Sequence, residues 1–401
     1  MKSETLSNAR DLPGAPAGQD ILPDFIISGP HHELCVSGVG AELTPGPLDT
    51  LAQRAGAFFA RNQSADQNGP RLLAGAIPFD RMAPDYLFQP LAQHAPPPAA
   101  TARTQAATPR QIIAEPSTAA YRAAVAQAVA WISAGALDKI VLSRSLRILA
   151  DRPHDCAALL SNLRRDPDAT AFALSLPPNP SRTNAMPRRL IGATPELLIQ
   201  RRGRDILSHP LAGSAPRRAD AAADRDSGRA LLTSDKDRRE HAMAAEMVLD
   251  TLAPWCDRLA APDGVTLSST AQLWHLGTRI VGRLRDPETC CATLLAALHP
   301  TPAICGTPRD AAKAALPGLE GFDRGFYSGA VGWLEPSGDG CWYIALRCAE
   351  VAGDEARLYA GAGIVAGSDP AQEEAETSTK FLAMLAAFGL DEDGAPLHIA
   401  R

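Results

Sequence analysis

Trp333-Leu334-Glu335-Pro336-Ser337-Gly338-Asp339-Gly340-Cys341-Trp342-Tyr343-Ile344-Ala345-Leu346-Arg347 is followed, after a short polar break, by Arg357-Leu358-Tyr359-Ala360-Gly361-Ala362-Gly363-Ile364-Val365. The stretches Trp333–Val351 and Arg357–Val365 read as strands, with no room between them for a crossover helix. Strands joined so directly pair antiparallel, because a parallel neighbour needs a long crossover connection. The expected fold class is therefore α/β of the α+β type, built on antiparallel sheets, and not a doubly wound parallel sheet.

Working outward, Lys139–Ile148 and Leu190–Arg201 also read as strands, and Thr293–Leu298, Ser234–Leu252 and Pro370–Phe388 as helices. Ser117 or Thr118 caps a helix running to about Ala134, whose apolar residues Tyr121, Val125, Ala128, Val129 and Ile132 keep helical spacing. Nearer the start, Asp24–Ser28 and Leu72–Ile77 are strand-like and Leu48–Arg61 is helical. Residues 1–20 read as a loose tail, and 90–117, with Pro96-Pro97-Pro98, as a surface linker. The expected organisation is a tail (1–20), an N-terminal part of the same fold ending in the linker (21–116), the main body of the fold (117–390) and a C-terminal tail (391–401).

With 401 residues, 45% of them hydrophobic, the chain can bury a large core. Its net charge of −6 gives no basic field for nucleic acid or an anionic membrane. An anionic substrate must then be held by locally placed arginine, lysine, backbone N–H groups or metal. The eight cysteines form no CxxC pair, which suggests reduced thiols in a cytoplasmic protein. The apolar run Thr289–Pro308 is cut by His299, Pro300 and Pro302, so it does not span a bilayer. The N-terminus lacks the apolar region of a signal peptide.

Two acidic motifs carry the strongest chemical signal. Asp237-Arg238-Arg239-Glu240-His241 and Glu373-Glu374-Ala375-Glu376-Thr377 each place two carboxylates three residues apart, on one side of a helix that continues into an apolar stripe. Carboxylates on such a stripe are costly to bury unless a cation meets them. Two pairs facing each other would suit a hard divalent ion such as Mg²⁺, which favours oxygen ligands.

Other segments leave alternatives open. Lys139, opening its strand, is either an exposed strand-end lysine or a desolvated amine able to act as a base. Glu196, after Gly192-Ala193-Thr194-Pro195, enters an apolar strand, where a carboxyl could stay protonated as a general acid. Gly361, Gly363 and Ala366 satisfy GxGxxA, but too little chain follows for a dinucleotide-binding unit. An anion site at the helix begun by Asp369 and Pro370 is the better reading of those glycines. Lys380 is one turn past Glu376, as a surface pair would also be. Arg347, at a strand end, either grips a carboxylate or sits in solvent. His275, among apolar neighbours, fits a satisfied core histidine as well as a functional one.

In this order the segments resemble the chorismate-utilising enzymes, whose members include isochorismate, salicylate, anthranilate and aminodeoxychorismate synthases. The motifs are Lys139–Arg144, Gly192–Ile199, Leu211–Ser214, Glu240-His241, His275-Leu276-Gly277, Leu298–Gly306, Tyr327–Gly332, Ile344–Arg347 and Gly361–Lys380, over roughly residues 117–390. The run His299-Pro300-Thr301-Pro302-Ala303 is most similar to the isochorismate synthases. The resemblance implies antiparallel sheets packed as a sandwich with helices outside, and Mg²⁺ as cofactor. It implies Glu240 and Glu376 as metal ligands, supported by Asp237 and Glu373. Gly213 and Ser214 would meet the ring carboxylate of chorismate. Arg347, Tyr327 and Gly361 would meet its enolpyruvyl carboxylate, Lys380 would lie near the metal, and His275 would support the wall.

By the same resemblance, Lys139 activates a water that attacks C2 while Glu196 protonates the departing C4 hydroxyl. Lysine at 139 separates the chain from anthranilate synthases, which have glutamine there. Ala303, where aminating and salicylate-forming relatives have threonine, favours water as nucleophile. The implied activity is isochorismate synthase, an isomerase supplying siderophore, salicylate or menaquinone routes, with siderophores favoured. A salicylate synthase and an inactive chorismate-binding relative are the alternatives. No glutaminase subunit is implied, and the family precedent is a monomer.

Overall fold

Strand pairing in this computed structural model, which describes residues 22–62, 69–97, 107–178 and 186–397, is antiparallel throughout its main sheet. The expected tail at 1–20, residues 98–106 of the linker and residues 398–401 lie outside the described residues. One arm of the sheet runs, neighbour to neighbour, β5 (Pro109–Glu115), β6 (Lys139–Ala150), β20 (Glu355–Ile364), β19 (Cys348–Ala352), β8 (Arg188–Thr194), β7 (Thr170–Leu176), β1 (Phe25–Ser28) and β2 (Glu33–Glu42). From β2 the second arm continues through β4 (Tyr86–Gln93), β3 (Leu73–Ile77), β17 (Ala330–Leu334), β18 (Gly340–Ile344), β9 (Leu197–Arg202), β10 (Asp205–His209), β15 (Ile280–Leu284) and β12 (Cys256–Ala260). A short β16 (Gly306–Thr307) lies on β6. Strands β11 (Leu211–Pro216), β14 (Leu273–Thr278) and β13 (Val265–Ser269) form a separate small sheet.

The arms close over a shared interior. Phe25, Ile27, Phe172 and Leu190 of the first pack with Ala74, Phe88, Val331 and Tyr343 of the second. Side chains alternate across a strand, so Ile26 points the other way, into the layer under α3 (Cys156–Leu163) and α8 (Pro370–Ala387). The outer face of the second arm is covered by α1 (Leu51–Arg61), α5 (Asp235–Leu252) and α6 (Cys291–Leu298). Helices α2 (Thr118–Ser133) and α7 (Arg309–Glu320) cover the face of β6 that carries Ile140 and Leu142. Helix α4 (Ala221–Thr233) packs on the small sheet.

Helix starts follow their caps. The side chain of Ser117 accepts from Ala120 N, Ser234 from Asp237 N, and Asp369 from Ala371 N and Gln372 N. The last of these closes the expected anion site, because Asp369 itself occupies the N–H groups that an anion would use. Strand limits differ more. Leu190–Arg201 breaks into β8 and β9 at Pro195-Glu196, where proline has no N–H for the ladder. Trp333–Val351 breaks twice. The turn at Glu335–Asp339 gives the first break, and Arg347 at φ 47° gives the second. Leu211–Pro216 is a strand with an irregular register at Gly213, whose φ is 75°.

Phe172 is fully buried in the shared interior. Replacing it with alanine should lower unfolding free energy by about 3–5 kcal/mol, read as a lower urea midpoint at unchanged slope.

Candidate active site

A cleft opens where β6 and β20, the small sheet and the β8–β9 turn meet. Glu196, Gly213, Ser214, Glu240, His275 and Ala303 line it, and so do Tyr327, Arg347, Gly361 and Lys380. Lys139 is wholly buried, with Nζ 3.0 Å from Oε1 of Glu240. Alternation along β6 puts Val141 on the cleft side and Ile140 in the helix-covered layer.

Glu196 sits just past Pro195 and is 3% exposed. Loss of water around its carboxyl pushes its pKa up to about 8, against a smaller opposing pull from Leu211 N–H, Lys139, Arg347 and Lys380. At neutral pH it therefore holds a proton.

Arg347 is fixed from behind. Its Nη2 donates to Nε2 of His275 at 2.8 Å, and Nη1 lies 3.5 Å from the Thr270 hydroxyl. Burial drives the His275 pKa well below its ordinary value, aided by the charge of Arg347, while the backbone of Gly213 bonds the ring. His275 is thus a neutral bridge between the small-sheet bulge and Arg347. Burial also pushes Arg347 down to about 10, which leaves it charged at neutral pH.

Tyr327 is 2% exposed and stacks on Tyr359, with ring centroids 4.7 Å apart. Its hydroxyl lies 3.3 Å from Ser143 Oγ. A side chain at position 361 would meet both groups: a Cβ there would stand 2.8 Å from Ser143 Oγ and 3.1 Å from Tyr327 Oη.

The acid-bearing helices α5 and α8 are brought together, bridged by Lys236 Nζ at 2.7 Å from Glu373 Oε1. Lys380 Nζ lies 2.6 Å from Glu376 Oε1 and donates to Gly361 O at 2.8 Å. Ser214 Oγ is 3.5 Å from Glu376 Oε1. Burial, and then the neighbouring carboxylates Glu240 and Glu376, raise the pKa of Asp237; burial and Glu376 raise that of Glu373. This all-oxygen, over-negative set has the donor chemistry of a hard divalent cation site. Three lysines stand among the acids, and among the described residues no three His, Cys, Asp or Glu side chains converge as a ligand group.

Sequence reasoning missed Lys236, Ser143, Tyr359 and the buried pair Glu320–Arg324. A lysine in a polar helix start and a glutamate–arginine pair at i, i+4 both look like solvated surface. Only the packing of distant elements buries them.

A cleft with a fixed guanidinium and a buried carboxyl on its walls is suited to a small anionic ligand, and the fold around it is that of enzymes that bind chorismate. The chain belongs to the chorismate-binding enzyme family, whose pattern matches residues 82–389. It is 40% identical over 378 residues to "Isochorismate synthase DhbC" of Bacillus subtilis, covering 92% of this chain and 94% of that one. Against "Isochorismate synthase EntC" of Escherichia coli K12 it is 35% identical over 382 residues, 91% of this chain and 95% of that one. A solved structure described as "putative 2,3-dihydroxybenzoate-specific isochorismate synthase, DhbC from Bacillus anthracis" superimposes with a TM-score of 0.85 at 36% identity, covering 92% of this chain and 96% of that one.

A buried carboxyl whose folded pKa exceeds its ordinary 4.5 makes the folded state bind a proton that the unfolded state releases. Its stabilising contribution is complete below that ordinary value and is lost as pH rises toward about 8. Glu196→Gln should therefore flatten part of the decline in stability between about pH 5 and 8, measured by urea unfolding across that range.

Proposed function

We propose that this protein is an isochorismate synthase, interconverting chorismate and isochorismate with Mg²⁺. Arg347 and Tyr327 receive the enolpyruvyl carboxylate of chorismate, with Gly361 close enough for backbone contact. Gly213 and Ser214 stand at the ring carboxylate. Lys139 takes the proton of a water that attacks C2 beside Ala303, and Glu196 gives a proton to the hydroxyl leaving C4. Magnesium held by Glu240 and Glu376, with Asp237 and Glu373 in support, would draw on the ring carboxylate and take up the negative charge Glu240 otherwise shares with Lys139. Since water is the nucleophile, no glutaminase partner is required. The reaction is balanced without an organic cofactor: one hydroxyl enters, one leaves as water, and no redox change occurs.

The observation that carries this reading is Glu196, held protonated by burial within the cleft that Arg347 enters. The named activities of the relatives support it, and we propose with it a siderophore route for the product.

Purified protein incubated with chorismate and magnesium should yield isochorismate on chromatography, and EDTA should abolish the yield. Salicylate fluorescence without an added lyase would replace this reading with a salicylate synthase. Lys139→Ala and Glu196→Gln should each lower turnover by about 10²-fold or more. As the acid deprotonates, activity should fall above about pH 8.

A further inference from the structure

One edge of β6 has two successive neighbours. β16 pairs with it at Lys139 and Ile140, while β5 takes over at Ser145. Between them no strand covers the edge, although the buried backbone there still needs partners. Two side chains supply them. Oε1 of Glu320, at the end of α7, accepts from Ser143 N at 2.7 Å. Nη2 of Arg324 donates to Val141 O at 2.7 Å, and Nη1 donates to Ile304 O, also at 2.7 Å. Nε of Arg324 closes the unit on Oε2 of Glu320 at 2.9 Å. Both residues are 3% exposed, and the guanidinium lies 4.4 Å from the Phe79 ring centroid and 5.9 Å from that of Tyr327.

The pair thus holds together three walls of the cleft: the β6 segment that begins at Lys139, the segment with Ala303 and Ile304, and Tyr327. Neither side chain lines the cleft. A buried ion pair adds little stability over apolar packing, so stability alone is a weak reason for one here. A guanidinium differs from an ammonium in being a rigid planar fork, able to fix two carbonyls of different segments at a set separation.

We infer that Glu320 and Arg324 are positioning residues that set Lys139 against the Ala303–Ile304 segment, where the attacking water must lie. The inference rests on the proposed function. It assigns the pair no contact with substrate; the effect passes through β6.

The test measures kcat and KM for chorismate in Arg324→Lys and Glu320→Gln, scaled to the folded fraction from circular dichroism at the assay temperature. Arg324→Lys keeps the charge but not the fork. Its kcat per folded molecule should fall about 10- to 100-fold with KM within about threefold, the scale expected of a misplacement of about 1 Å. Glu320→Gln keeps an acceptor for Ser143 N and should lose less. Wild-type kcat per folded molecule in both variants would overturn the inference, since the pair would then serve stability alone. A rise confined to KM would overturn it too. If the wild-type protein leaves chorismate unchanged, the proposed function falls, and hydrogen exchange decides the positioning role separately. Faster exchange at Val141 N–H, which donates to Cys305 O at 2.8 Å, is expected in Arg324→Lys, and unchanged exchange would overturn the inference.

Discussion

The pairing of β6 with β20 is the constraint on which the site depends. It runs unbroken from Leu149 opposite Glu355 to Ile140 opposite Ile364. Because side chains alternate, a slip of one residue would take Val141 off the cleft wall and Lys139 away from Glu240. The same register explains the two glycines of β20. A Cβ at position 363 would stand 2.0 Å from Oε1 of Glu240, and one at 361 would press on Ser143. These glycines make room for side chains of the protein itself, not for a phosphate. Beyond them the chain turns at Asp369 into α8, which brings Glu373, Glu376 and Lys380 back over the strands.

The charges around the cleft sort into two environments. Glu196 is desolvated, with no cation in ion-pair contact among those described, and it keeps its proton. Glu240 has Nζ of Lys139 at 3.0 Å, and Glu376 has Nζ of Lys380 at 2.6 Å. Carboxyls of one kind can serve as acid or as charged ligand according to such surroundings. Arg347 extends the contrast, for the neutral His275 behind it accepts a hydrogen bond without cancelling its charge.

Much of this was legible in the sequence, and the gaps have physical causes. The spacing of Asp237 with Glu240 and of Glu373 with Glu376 needs only helix geometry to be read, and the caps at Ser234 and Asp369 fix where those helices begin. Lys139 was ambiguous, because strand alternation says which side it takes but not whether anything covers that side. Residues 22–97 carry no chemical motif, yet β1 and β2 join the two arms, since their partners Ala171–Leu174 and Phe88–Gln93 come from remote parts of the chain. Glu320 and Arg324 were invisible for a related reason. Their spacing suits an exposed helix pair, and only the gap between β16 and β5 makes them interior.

Backbone strain shows why the substrate-facing groups gather at strand ends. Ser328 and Arg347 are the non-glycine residues with positive φ among those described, at 57° and 47°. Such conformations cost on the order of 1–3 kcal/mol each and persist only where the surroundings overdetermine them. Here they are neighbours across the β17–β18 entry: Ser328 N donates to Ala345 O, and Ala345 N to Gly329 O, both at 2.9 Å. Each bends the chain out of the ladder at the point where a side chain must leave the sheet. Tyr327 precedes one bend and Arg347 forms the other, so continuous strands at either place would keep the tyrosine hydroxyl or the guanidinium within the pleat. The strain is the local cost of directing both groups into one cleft, and the ladders on either side, from β3 through β18 to β9, hold the backbone there.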